Sequence, residues 1–195
     1  MDCFQLDKNK SKEAGFLKTS RLIFRTWLEA DLELALGLWG DLSVTKFIDA
    51  RGELSENDVR NRLFQEIDSE KNYGVQYWPI FLRSTNEHIG CCGLRVYELS
   101  SNILEIGFHI RSDHWGRGFA TEAALGVMDY AFKVLSVKRL FAGHHPHNKA
   151  SQHMLLKLGF RYTHDEYYAP TGLHHPSYML TADEYYQTKY GNTES

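Results

Sequence analysis

Cysteine is scarce in these 195 residues: Cys3 and the adjacent Cys91 and Cys92 are the only three. An odd count with two direct neighbours makes no even disulfide framework, so a small secreted scaffold held by bridges is excluded. The reading is a buried, reduced pair in a cytoplasmic protein. Charge of one sign is lacking too. The formal net charge is -3, so no broad basic field recruits nucleic acid or an anionic membrane. No apolar run approaches the roughly 18 residues of a membrane span. The stretch from Met1 to Lys18 carries Lys8, Lys10 and Lys12 but no apolar core of a secretory signal. No repeat, low-complexity segment or linker divides the chain. The expectation is one domain over residues 18–182, with a flexible arm at 1–17 and a polar tail at 183–195.

What is present is an alternation of strand and helix signals. Arg21 to Trp27 is rich in β formers and reads as a first strand. Asp31 opens a helix through Trp39, and Ser55-Glu56-Asn57-Asp58 reads as a capping box before a helix carrying Val59, Leu63 and Ile67. Tyr77 to Arg83 is a second strand, whose Pro79 predicts an edge or a bulge. His88 to Val96 and Ile103 to Arg111 are the third and fourth. A helix from about Phe119 to Val134, a fifth strand from Val137 to Gly143 and a helix through Ala150, Met154 and Leu158 follow. Phe160 to Tyr168 and Pro176 to Thr181 form a final hairpin. Short turns between strands early in the chain and helices between strands later predict an α/β (α+β) fold with a mixed, mostly antiparallel sheet.

The segment from Trp115 to Thr121 carries the most chemical information. A helix N-terminus offers unpaired amides and partial positive charge. Gly116 and Gly118 remove the Cβ atoms that would keep a phosphate from those amides, Ala120 keeps the first turn narrow, and Arg117 adds a cation. No Gly-Lys-Ser/Thr follows, so this is not a Walker loop, and Thr121 stands where a dinucleotide fingerprint needs its third glycine. Alone, the segment is equally an ordinary tight turn.

Its surroundings decide between these readings. Trp115-Gly116-Arg117-Gly118-Phe119-Ala120-Thr121-Glu122-Ala123 resembles the coenzyme A loop of the GNAT acetyltransferase superfamily, above all the branch of ribosomal-protein N-terminal (alanine/serine) acetyltransferases. Four more pieces resemble that branch in the same order. They are Thr19 to Arg25 with Asp31; His88-Ile89-Gly90 with Cys92-Gly93-Leu94; Leu104-Glu105-Ile106-Gly107-Phe108; and Asn148-Lys149-Ala150-Ser151 leading to Leu158-Gly159-Phe160. The resemblance spans roughly residues 18 to 182. Trp115 departs from the superfamily's usual Gln or Arg, but contacts through backbone amides do not need that side chain.

The resemblance implies a sheet with helices on both faces and splayed fourth and fifth strands. It implies acetyl-CoA as cosubstrate, no metal, and an amine acceptor. Its pantetheine arm would lie along Phe108-His109-Ile110, with the amide of His109 or Ile110 donating to the thioester oxygen. Asn148 is either a helix cap or a pantetheine contact. Ser151 is the candidate acid for the departing thiolate, because the Tyr that other members use is here Leu155. Glu105 alternates with apolar neighbours and is either the base for the acceptor amine or a solvent-facing residue. The Glu that some members carry on the fifth strand is here Gly143. Homodimers are common in the branch.

His144-His145-Pro146-His147 matches no zinc spacing and reads as a rim of the site, and His174-His175 as part of a hairpin turn. Adjacent strand residues Cys91 and Cys92 should face opposite sides of the sheet. The expected function is acetyl transfer to a primary amine by direct attack, the acceptor being a protein N-terminus or a small molecule. The alternatives are a non-catalytic acyl-CoA-binding regulatory module and a ligand-free interaction domain.

Overall fold

The structure, a computed structural model, describes residues 15–190. Cys3 and most of the expected arm lie outside the described residues. Two strands open the chain, β1 (Leu17–Lys18) and β2 (Leu22–Phe24), followed by helices α1 (Leu32–Trp39), α2 (Leu42–Thr45) and α3 (Glu56–Tyr73). Strands β3 (Tyr77–Leu82), β4 (His88–Glu98) and β5 (Ile103–Ile110) lead to α4 (Phe119–Asp129). Then come β6 (Arg139–Gly143), α5 (Lys149–Lys157), β7 (Arg161–Tyr168), β8 (Leu173–Thr181) and α6 (Ala182–Tyr190).

Among the described residues the strands form one sheet in the order β1-β2-β3-β4-β5-β6-β8-β7. Every neighbouring pair is antiparallel except β5 with β6. Pro79 stands in register with Cys91, next to a bulge between Ile80 and Phe81; its carbonyl faces the β2 side, accepting from Arg25 N just past the end of β2, so its missing N–H leaves no ladder bond unmade, and β3 is not an edge. The parallel pairing runs only from Ile103–Arg139 to Glu105–Phe141. Beyond it β5 continues to Ile110 and β6 to Gly143 without pairing to each other, so the two strands splay.

Strand alternation sorts the side chains into two cores. Trp78, Ile80, Cys92, Leu94, Leu104, Ile106, Leu140 and Leu180 pack on one face with Ala123, Ala124 and Val127 of α4, Leu155 of α5 and Tyr185 of α6. Tyr77 and Cys91 face the other side with Ala35, Leu38 and Trp39 of α1 and Val59 and Leu63 of α3. The two cysteines thus point apart as expected, each free and buried. Helix α3 starts where the capping box predicts: Ser55 Oγ accepts from the Asp58 amide at 3.2 Å and Asp58 Oδ2 from the Ser55 amide at 3.1 Å. It ends at Gly74, whose φ of 66° is the left-handed stop.

Both domain edges differ from the sequence reading. Phe16 and Leu17, assigned to the arm, pack against the first core. The tail assigned to 183–195 is helical as far as Tyr190, with Tyr185 buried and stacked on Phe132 at 4.8 Å. The polar composition hides this because one aromatic docks the helix.

Candidate active site

Two cavities open along the splayed strands. One, of about 470 Å³, lies over the N-terminus of α4. Phe108, His109, Ile110, Trp115, Gly116, Gly118, Phe119, Ala120, Thr121, Asn148 and Ser151 line it. Gly116 and Gly118 have φ of 71° and 77°, a region costly for other residues. A Cβ on Gly116 would meet nothing within 4 Å, and one on Gly118 only an Arg21 nitrogen at 3.7 Å. The loop therefore leaves open space above the helix's free amides, the cradle an anion needs.

Arg117 is absent from the lining of this cavity. Its guanidinium lies 3.1 Å from His114 Nδ1 and over the Phe119 ring, so side-chain partners within the loop draw it aside. Arg21 joins two pieces that the sequence presents separately. Glu122 in the first turn of α4 accepts from Thr19 Oγ1 at 2.5 Å, the Arg21 amide at 2.7 Å and Arg21 Nε at 2.6 Å. Burial alone would raise the Glu122 pKa, but these bonds outweigh it and hold the carboxyl low. Arg21 Nη1 also donates to the Arg117 carbonyl at 3.1 Å, tying β2 to the loop.

Backbone alternation decides which amides of β5 face the gap. Arg111 N donates to Ile89 O on β4, and His109 pairs with Cys91 in the same register. The amides of Phe108 and Ile110 therefore point the other way, toward the splay, and His109's does not. The Ile110 carbonyl accepts from Trp115 Nε1 at 2.7 Å, so this indole pins the loop to the strand end. The His109 ring turns toward α1, where Nδ1 accepts from Trp39 Nε1 at 3.1 Å. Burial, with Arg62 and Arg95 nearby, holds its pKa well below normal, so the ring is neutral. Asn148 caps α5: its Oδ1 accepts from the Ser151 amide at 3.1 Å.

The second cavity, about 260 Å³, lies on the α1–α3 side. Arg62, Tyr77, Arg95, Tyr97, Glu105, Glu166, Tyr167, Tyr168 and His175 are among its walls. Glu105 Oε1 accepts from the Tyr77 hydroxyl at 3.0 Å. Burial raises the Glu105 pKa, against the opposing pull of Arg95 and the Tyr77 bond. Glu66, fully buried, accepts from the Tyr77 amide at 2.9 Å, from Arg62 Nε at 3.1 Å and from Arg95. The hairpin tip closes one side, with Ala50 N donating to Pro170 O at 2.9 Å. The sequence reading missed Arg62, Tyr77, Arg95 and Phe47, since core-like periodicity gave no sign that these residues converge. Phe47, Ile48, Phe108, His109, Gly143, His144 and His145 line both cavities, so the two meet there. Glu105 opens on one side of this junction and Ser151 on the other. Among the described residues, the one cluster close enough to share an ion is Glu87, Asp113 and His114, of which His114 lines the larger cavity.

A family model described as an acetyltransferase (GNAT) domain matches residues 21–161. The chain is 30% identical over 145 residues to an uncharacterized N-acetyltransferase, p20, of Bacillus licheniformis, covering 74% of this chain and 82% of that protein. It is 32% identical over 147 residues to YoaA, another uncharacterized N-acetyltransferase, of Bacillus subtilis, with the same coverages. Among solved structures, a GNAT-family acetyltransferase from Bacillus anthracis superposes with a TM-score of 0.72 at 26% identity, covering 86% of this chain and 98% of that one. RimL, a ribosomal L7/L12 α-N-protein acetyltransferase solved with coenzyme A, gives 0.71 at 17% identity over 85% of this chain and 97% of its own. That last likeness is one of fold. The splayed sheet, the glycine cradle and these relatives agree: the chain belongs to the GNAT family of acetyltransferases, enzymes that draw their acetyl group from acetyl-CoA.

Proposed function

We propose that this enzyme acetylates a primary amine by direct attack, with an α-amine or another weakly basic amine as acceptor. The observation that carries the reading is the meeting of the two cavities at the splay, one ending on the helix amides and the other on Glu105. Acetyl-CoA supplies the activated acetyl thioester. The amides at the start of α4 hold its pyrophosphate, and the Ile110 amide points where a thioester oxygen gains negative charge. Glu105, with its raised pKa, takes the proton from the incoming amine. The Ser151 hydroxyl gives a proton to the departing sulfur and regains one from solvent, while Glu105 returns the amine's proton to solvent, so one proton passes in balance from nitrogen to sulfur. Orientation of the two reactants in adjoining cavities supplies much of the rate.

One carboxylate favours a weakly basic acceptor. A lysine-type amine, with pKa near 10.4, costs roughly 4 kcal/mol to deprotonate at pH 7.4, against under about 1 kcal/mol for an α-amine. RimL is named as an α-N-protein acetyltransferase, which agrees with this preference. Two buried free thiols, Cys91 and Cys92, fit a reducing cytoplasm. Among the described residues, no helix is long and apolar enough to cross a membrane.

The test is an acetylation screen across peptide N-termini, amino acids, polyamines and aminoglycosides, followed by Glu105→Gln on the confirmed acceptor. The variant should lose about 10²–10⁴-fold in kcat/KM with a lysine-like amine and much less with an α-amine. Identical pH–rate profiles for both proteins would remove Glu105 as base. A chain that binds acetyl-CoA and acetylates nothing would be the regulatory module.

A further inference from the structure

Tyr77, Gly93 and Gly107 form one row across three strands. Tyr77 pairs with Gly93 on β4, and Gly93 with Gly107 on β5. Cross-strand partners share a face of the sheet, so the Tyr77 side chain lies on the same side as two residues that have none. A Cβ on Gly107 would come within 2.3 Å of both Cζ and the hydroxyl oxygen of Tyr77. No real Cβ approaches so closely, and the neighbour is a rigid ring. Only glycine at 107 lets the ring cross β5 and reach Glu105, two residues along the same strand and on the same face.

We propose that Tyr77 is a positioning residue for acetyl transfer: its phenol, admitted by Gly107, anchors Glu105 Oε1 and so presents Oε2 to the acceptor amine. The proposal rests on Glu105 being the base. The Tyr77–Glu105 bond is 3.0 Å long, and Oε2 has no hydrogen-bond partner among the described residues. One oxygen is held and the other is left to receive the proton. The ring itself is fixed. The Arg95 guanidinium covers it at 4.4 Å, the His109 ring meets it at 5.8 Å, and Glu66 accepts from its amide. Burial, and then the charge of Glu105, keep the phenol protonated, so it donates. Arg95 pairs with Glu105 across β4 and β5 and adds a second attraction for the carboxylate. A flexible glutamate beside a cavity would otherwise sample several rotamers, and holding it in one lowers the entropy lost on reaching the transition state.

Tyr77→Phe separates anchoring from packing, because it keeps the ring and deletes only the donor. If Tyr77 positions Glu105, kcat/KM for the amine falls by about tenfold, the scale of one hydrogen bond to a charged group. The acidic limb of the pH–rate profile then moves to higher pH, because the bond that favours the ionised carboxylate is gone. Acetyl-CoA affinity and the unfolding midpoint stay near wild type. In a Glu105→Gln background the same change should have no further effect on rate, the mark of two residues acting as a unit. An NMR titration of the Glu105 carboxyl in wild type and Tyr77→Phe reads the anchor without any assay of activity. An unmoved carboxyl titration, or an unmoved acidic limb, overturns the proposal. A moved titration together with an inert Glu105→Gln overturns instead the base assignment on which it rests.

Discussion

His88 is buried between Trp27 and Phe81, with ring centroids 5.5 and 5.4 Å away. Neither ring nitrogen has a hydrogen-bond partner among the described residues. Burial, and then the charge of Arg111, lower its pKa to about 4. The unfolded chain, with a histidine pKa near 6.5, therefore binds a proton that the folded chain refuses. Stability is complete above about pH 6.5 and is lost as the pH falls toward 4, by about 3 kcal/mol at most. Urea unfolding of wild type and His88→Leu from pH 4 to 7 checks this. The wild-type minus variant difference should shrink by that amount on acidification, and a pH-independent difference would show that His88 does not titrate in this window. At this scale Asn148 was marked by residue type, Glu105 by strand alternation together with the family resemblance, and Ser151 by the resemblance alone. The sequence did not mark Tyr77, whose partner is 28 residues away and whose role depends on the missing Cβ of Gly107.

Among the elements, the loop before α4 carries a backbone demand that the sequence stated openly through Gly116 and Gly118. Gly118→Val adds two methyl groups at the cradle and also forces a β-branched residue to φ of 77°, a strain of about 1–2 kcal/mol. Acetyl-CoA affinity should fall by about a hundredfold, or roughly 2.7 kcal/mol. Gly172→Val controls for the strain. Gly172 has φ of 68°, a Cβ there meets nothing within 4 Å, and it lines neither cavity. Calorimetry should find the loss in Gly118→Val and not in Gly172→Val; equal affinities would take the loop out of the coenzyme site. Elements with strong periodicity or caps were legible, α3 through Ser55 and Asp58 above all. Helix α2, four residues long, and strand β1, two residues long, were not, and β2 was read as Arg21 to Trp27 where only Leu22–Phe24 is strand. They are too short to show a period, and their tertiary neighbours hold them in place.

The whole molecule closes through its C-terminal helix. Tyr185 is 5% exposed, stacks on Phe132 after α4 and bonds to Asp129, which Lys189 also holds at 2.6 Å. Tyr185→Ala opens a cavity between α6 and the first core, and should cost about 3–5 kcal/mol in urea unfolding. Acetyl-CoA affinity measured on the folded variant should be unchanged, because Tyr185 lines neither cavity. A loss below about 1 kcal/mol would mean that the helix is not part of the cooperative unit.

The sequence by itself determined the order of strands β2 to β8 and of helices α1, α3, α4 and α5, the alternation that sets Cys91 and Cys92 on opposite faces, the α3 cap and the glycine loop. Each of these depends on residues close in the chain, where period, φ and capping chemistry act locally. The tertiary structure alone decided the meeting of the two cavities. It also decided the docking of α6. These depend on contacts between residues tens of positions apart, such as Arg21 with Glu122 and Tyr77 with Glu105. Their geometry follows from how the sheet packs its two helical layers, which no local pattern encodes.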